Sequence, residues 1–400
     1  MTNPSILIQP AEYQERVAKL QRLVQERDLD VFVVTAEESI LYLSGIPFVP
    51  LERPFFIFIW PDREPELLVP MLERDYLGRA YSVRNVSTYW DYPAEPERSW
   101  QGCLRQAVGA AERIGIEPTC PIDIAAVLGI DAVEAHPLVE DLRLVKSPAE
   151  IELLRHAARY ADQCVERVLD AAYEGVSLLE LFGQSRGVQL NSIKEVGYNA
   201  YISSVLAGAW PAPDSAMPHA VPDLAARYGA GPHIAGGVVR VHGYTAESER
   251  TFFVTEPDDA LKDAFAAMRE ARRRAFTVAR PGAVCAEVDA AANDFLRSQG
   301  YGDNLRHRCG HGFGLSTHEG PWVSEGSDTV LQPGMLISIE PGIYIPDVGG
   351  VRHSDTVLIT EEGHESLTRH PVDVESMWVR GAKPFKRLAG AITRRVAGLT

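Results

Sequence analysis

The stretch GYTAESERTFF, residues 243–253, places the tightest constraint on the fold. Read as a β-strand, it points residues i and i+2 to the same side. Glu247, Glu249 and Thr251 then share one face, while Ser248, Arg250 and Phe252 take the other. The run closes on Phe252, Phe253 and Val254, which suit a core and argue against an exposed edge strand with a solvated acidic stripe. Two like charges directed together inside a protein are costly unless a cation lies between them or one carboxyl keeps a proton. The expectation is a metal ion or a cationic substrate group between the two carboxylates, or one glutamate holding a proton.

A second cluster, RHRCGHGFGLSTHEGP (306–321), brings His307, His311 and His318 together with four glycines that allow a close backbone approach. It is not an HExxH helix, because His318-Glu319 has no histidine three residues beyond. In MLISIEPGIYIPDVGGVRHSDTVLIT, Glu340 ends an apolar strand before Pro-Gly, a position expensive for an unpaired charge. Arg352, His353 and Asp355 stand at the start of the next strand, and His219 lies in the proline-flanked loop SAMPHAVPD.

The 400 residues suffice for two domains. A formal net charge of −16 argues against nucleic-acid binding. No apolar run reaches membrane-spanning length, and the N-terminal MTNPSILIQPAEYQERVAKL lacks the features of a secretory signal. Five widely spaced cysteines without a CxxC give no disulfide framework and suit a reducing compartment, so a cytoplasmic protein is expected.

The pattern predicts helices over 11–28, 258–279 and 283–300, and strands in DVFVVTA, PFFIFIWP and ELLVP. IDIAAVLG and the region near 135 read as the β-rich completion of a first α/β unit. Ser147, Pro148 and Glu150 form a capping-box signature at the head of a long helix. The expected organisation is an N-terminal domain over 1–140, a linker over 141–146, a catalytic domain over 147–370 and a basic tail over 371–400. Lys383, Lys386, Arg387, Arg394 and Arg395 mark that tail as a short amphipathic helix docked on the acidic body, with membrane contact the weaker reading. The loop STYWDYPAEPERSW, carrying Trp90 and Trp100, suggests a homodimer whose loops lid the neighbour's cleft.

Taken together, LRLVKSPAEIELLRHAA, PHAVP, GHGFGLSTHEGP, LQPGMLISIEPGIYIPDVGGVR and DTVLITEEG resemble the creatinase and Xaa-Pro peptidase family, M24, over about 142–368. Residues 1–140 resemble its smaller N-terminal domain in length and order. The resemblance implies an α+β protein: a creatinase-like α/β N-terminal domain followed by a "pita-bread" catalytic domain with its active site in the concavity of a curved sheet. It implies further that His311 and Glu340 are metal ligands, that Glu340 also shuttles a proton, and that Glu247 replaces a ligand aspartate. His219 and His318 match the histidines that contact substrate and tetrahedral intermediate.

Two ligand positions of that family are changed. Gly236 stands where the first aspartate belongs, and Ser354 where the last glutamate belongs. One metal site of the usual pair therefore looks dismantled, and the other keeps Glu247, His311 and Glu340. Glu249, where the peptidases carry threonine, is a candidate to supply the missing oxygen. The triplet Glu249-Arg250-Thr251 is similar to the metal-free creatinase branch, in which Glu249 and Glu340 would hold a guanidinium and His219 would handle the proton. Creatinases, however, lack a glutamate at 247 and the GHGFG pattern.

The leading expectation is hydrolysis of Xaa-Pro dipeptides or short peptides by about one divalent ion per chain, manganese or zinc, with no organic cofactor. Arg352 would bind the substrate carboxylate, with Arg53 of a partner subunit as a second candidate. A metal-free amidinohydrolase or other small-molecule C–N hydrolase is the alternative, and an inactive binding homologue the third reading.

Overall fold

The computed structural model describes residues 7–399, which divide into two compact units, Ile8–Arg143 and a second beginning at Leu144. In the first, β1 (Val31–Val34), β2 (Phe56–Ile59), β3 (Glu66–Pro70), β4 (Asn85–Tyr89), β5 (Ile114–Ile116) and β6 (Val133–Ala135) form a mixed sheet in the order β4-β3-β2-β1-β5-β6. The runs VFVV and FIFI are buried at every position, as central strands covered on both faces must be. The first helix, Pro10–Glu26, buries Val17, Leu20 and Val24 on one stripe.

One expectation fails here. IDIAAVLG is not extended: Ile122–Leu128 is a helix, buried through Ile124, Ala125 and Leu128. Pro121 at its N-cap and Gly129 after its end punctuate a helix, and that punctuation outweighs the β-branched composition. Trp100, which closes the loop STYWDYPAEPERSW, is buried. It joins the core of this unit, its ring 6.2 Å from that of Phe56, while Trp90 is exposed beneath the Arg98 guanidinium.

The second unit opens on the helix Pro148–Ala171. Ser147 Oγ accepts from the Glu150 amide at 3.2 Å, and the Glu150 carboxylate accepts from the Ser147 amide at 2.8 Å. Glu150 also accepts from Tyr244 Oη at 2.9 Å, which ties the helix start to the sheet. The strands are β7 (Ser204–Trp210), β8 (His233–Val241), β9 (Tyr244–Phe252), β10 (Gly310–Gly312), β11 (Glu319–Val323), β12 (Leu336–Ile339), β15 (Ser354–Thr360) and β16 (Gly363–Ser366). They form an antiparallel sheet ordered β11-β10-β12-β15-β9-β8-β7, with β16 on β15; β13 (Gly342–Ile345) and β14 (Gly349–Arg352) make a separate hairpin. The long helix packs across β8 and β9, and a Cβ at Gly237 would run into its Ala161 carbonyl.

The two faces of β9 have different fates. On the helix side Ser248 donates to Asp162 at 2.7 Å, and Arg250 donates to Asp355 at 2.7 Å. Asp355 also accepts from Arg272 at 2.6 Å, and against the cost of burial the two guanidinium charges, Arg250 first, hold its carboxyl well below the ordinary range. The other face carries Glu247 and Glu249. The tail helix Pro384–Val396 docks on its own unit: Arg394 pairs with Glu180, Lys386 with Asp170, and Gly390 lies against Glu180 and Tyr173. Among the described residues no helix is long and apolar enough to cross a membrane.

Candidate active site

Three strands of the run β10-β12-β15-β9 deliver three ligand-type groups to one point. Glu247 comes from β9, His311 from β10, and Glu340 from the residue after β12. One atom from each lies within 4.8 Å of the others. His311 Nδ1 donates to the Gly312 carbonyl at 3.0 Å, so Nε2 presents its lone pair. That buried Nε2 completes no hydrogen bond; it lies 3.2 Å from Glu340 Oε1 and 3.9 Å from Glu247 Oε1. Three electron-rich atoms in a buried corner repel unless a proton or a metal cation sits among them. One imidazole and two carboxylates are the donor set of a divalent ion, so the residues fit such a group.

The electrostatics follow from this crowding. Burial, then the charges of Glu340 and Glu249, push the Glu247 carboxyl upward. Burial would raise Glu340 as well, but the adjacent His311 ring, 3.2 Å away, outweighs it and holds Glu340 down. Burial opposes charge on His311, and the two carboxylates overcome it and raise the ring. A further layer fixes the two carboxylates: Ser354 Oγ donates to Glu247 at 2.7 Å, and Ser338 Oγ donates to Glu340 at 3.2 Å.

Glu249 sits in register between Gly236 of β8 and Ser354 of β15, the two positions that lack a carboxylate. It does not join the triad. Arg352 Nε and Nη2 donate to its two oxygens at 2.6 and 2.9 Å, and Nη1 donates to Tyr344 Oη at 2.9 Å. The Tyr344 hydroxyl also meets His307 Nε2 at 2.6 Å. Two expectations are thereby corrected: the Arg352 fork is used on Glu249, not held open for substrate, and both Glu249 oxygens serve a guanidinium, not a metal. The physical reason is mutual neutralisation of two charges in a buried place. A Cβ at Gly236 would stand 3.0 Å from the Trp210 ring and 3.4 Å from Glu249 Oε1, so the place of the absent aspartate is already crowded.

A cavity of about 280 Å³ opens on the triad, lined by His219, His318, His311, Glu340, Arg308 and Arg352 among others. His219 and His318 stack with ring centres 6.3 Å apart, and His318 meets His311 edge-on at 4.2 Å. Partial burial, then the charges of His311 and Arg308, bring His318 down to about 4, so its ring is neutral near pH 7. Arg53 belongs to the first unit, where its Nε and Nη2 donate to Asp91 at 2.9 and 3.2 Å. The sequence pattern singled out neither Arg308 nor Tyr344 for this site. Arg308 was visible beside the histidines, whereas Tyr344 sits in the apolar run GIYI with no polar pattern around it.

A peptidase-type centre on this two-part α+β frame is also what comparison with known proteins returns. Residues 152–361 match the model of metallopeptidase family M24, and residues 16–145 that of the creatinase/prolidase N-terminal domain. The chain belongs to family M24: it is a metallopeptidase-like enzyme with a creatinase-like N-terminal domain, a pita-bread catalytic domain and a candidate metal triad. It is 29% identical over 362 residues to the Xaa-Pro dipeptidase of Pyrococcus horikoshii, covering 89% of this chain and 97% of that protein. It is similar to the solved prolidase from Pyrococcus horikoshii OT3, with a TM-score of 0.77, 28% identity, and 90% and 99% of the two chains covered. It is similar too to the dipeptidase PepE from Mycobacterium ulcerans, with a TM-score of 0.80, 28% identity, and coverage of 93% and 99%.

Proposed function

We propose that the chain hydrolyses Xaa-Pro dipeptides or short peptides with a single divalent ion, manganese or zinc, held by Glu247, His311 and Glu340. The observation that carries this reading is the His311 lone pair aimed, without a hydrogen bond, between the buried Glu247 carboxylate and the largely buried Glu340 carboxylate. When bound, the ion supplies a Lewis acid that polarises the scissile carbonyl and lowers the pKa of water.

The chain's own groups do the rest. Glu340, on the cavity wall, takes a proton from the attacking water and passes it to the departing imino nitrogen. The neutral His318 ring, with His219 stacked on it, donates N–H toward the oxygen that gains charge as the carbonyl carbon becomes tetrahedral. Ser354 and Ser338 keep the two carboxylates in place. The Xaa-Pro preference rests on the relatives named as Xaa-Pro dipeptidase and prolidase.

The amidinohydrolase reading asks Glu249 to grip a substrate guanidinium, and the chain's own Arg352 already fills that grip. The test pairs metal analysis of the purified protein with rates on glycyl-proline and on creatine, before and after a chelator. Chelator-sensitive cleavage of glycyl-proline is expected. Creatine hydrolysis that survives the chelator, with glycyl-proline untouched, refutes the proposal.

A further inference from the structure

A dipeptide substrate ends in a carboxylate, and the structure leaves it without Arg352, whose Nε and Nη2 are bound to Glu249 and whose Nη1 donates to Tyr344. We infer that Arg308 is the residue that anchors the substrate's free carboxylate; this rests on the dipeptidase reading above. Arg308 lines the same cavity as His311, His318 and Glu340, and its charge depresses the proton affinity of His318. Its guanidinium is preorganised: Nε donates to the Gly310 carbonyl at 3.0 Å, and the group lies over the Trp322 ring at 4.7 Å. That leaves the Nη1 and Nη2 edge with no acceptor, and Arg308 with no carboxylate partner, among the described residues.

Arg306 lines the cavity too, but it is exposed and its Nη1 is bound to the Asp303 and Leu305 carbonyls of its own loop. A half-buried, stacked guanidinium with a vacant two-point edge is the better match for a planar carboxylate. At about 280 Å³ the cavity lies just below the roughly 300–1,000 Å³ of drug-sized sites, which favours a two-residue ligand over an extended peptide.

The test compares the purified wild type with Arg308→Gln and Arg306→Gln. Rates are measured on glycyl-proline and its C-terminal amide, and calorimetric binding on L-proline and L-prolinamide. Wild type should prefer the acid in both assays. Arg308→Gln should raise KM for glycyl-proline about ten- to a hundredfold with kcat changed much less, and should erase the preference for acid over amide. Arg306→Gln should keep that preference. The inference is overturned if Arg308→Gln retains the acid preference, if Arg306→Gln alone loses it, or if the wild type never shows one. Acid-selective, Arg308-dependent binding of L-proline without any glycyl-proline cleavage would support the anchor and refute the dipeptidase reading.

Discussion

Arg352 holds Glu249 through two hydrogen bonds, at 2.6 and 2.9 Å, with both side chains almost wholly buried. Removing one member of such a pair strands the other charge, at a cost of about 3–5 kcal/mol. Glu249→Gln keeps the shape and removes the charge, so urea denaturation should show a loss of that order. A change below about 1 kcal/mol, the size of an exposed pair, would show that the pair does not hold this face together.

Ser354→Ala removes the hydroxyl that orients Glu247 and leaves every triad member in place. Metal affinity should fall about 10–100-fold, measured by competition against a chromogenic chelator, with the thermal midpoint nearly unchanged. Glu247→Gln, which takes a charged ligand away, should lower bound metal and turnover together. Full occupancy and full rate in Glu247→Gln would rule out this ligand set.

Two buried histidines set an acid limit. His233 accepts from the Ala212 amide at 2.8 Å and meets the Gly229 carbonyl at 3.0 Å, and burial brings it to about 4. His353 accepts from the Thr251 amide at 3.1 Å and is held well below its usual value, by burial first and then by Arg250. Below about pH 6.5 the unfolded chain takes protons that the folded chain refuses, so stability falls as pH drops from there toward 4. His233 alone contributes about 3 kcal/mol to that fall. The urea midpoint should drop between pH 7 and 4.5, and drop less in His233→Gln; equal drops would contradict the assignment.

The tail helix offers a packing test. Gly390 is buried against Glu180, so Gly390→Val must displace the Glu180 carboxylate and the Tyr173 hydroxyl that anchor Arg394, loosening the helix at a cost of about 1–3 kcal/mol. Amide exchange over 384–396 should accelerate while exchange in β9 stays slow. Unchanged protection of the tail would mean that the helix is not held there.

What was legible in the sequence was local. The period of two in 244–252 put Glu247 and Glu249 on one face, and the structure has them there. The Ser147 cap and the basic tail helix were likewise readable from short patterns. Tertiary pairing was not. Arg352 lies 103 residues from Glu249, and nothing near either residue names the other as partner. The strand β8, HIAGGVVRV, was missed because its paired glycines weaken a strand pattern that close packing on the long helix requires. IDIAAVLG misled through its β-branched residues, which an N-terminal proline and a terminal glycine overrode.

The guanidinium beside Glu249 differs in kind from an ion drawn from solution. It is covalently part of the chain, keeps its proton at any physiological pH, and cannot be chelated, diluted or exchanged for another element. Folding alone therefore supplies positive charge between the two positions that lost their carboxylates. Among the described residues, the corner formed by Glu247, His311 and Glu340 is the candidate left to depend on which ions the surroundings offer and how scarce they become.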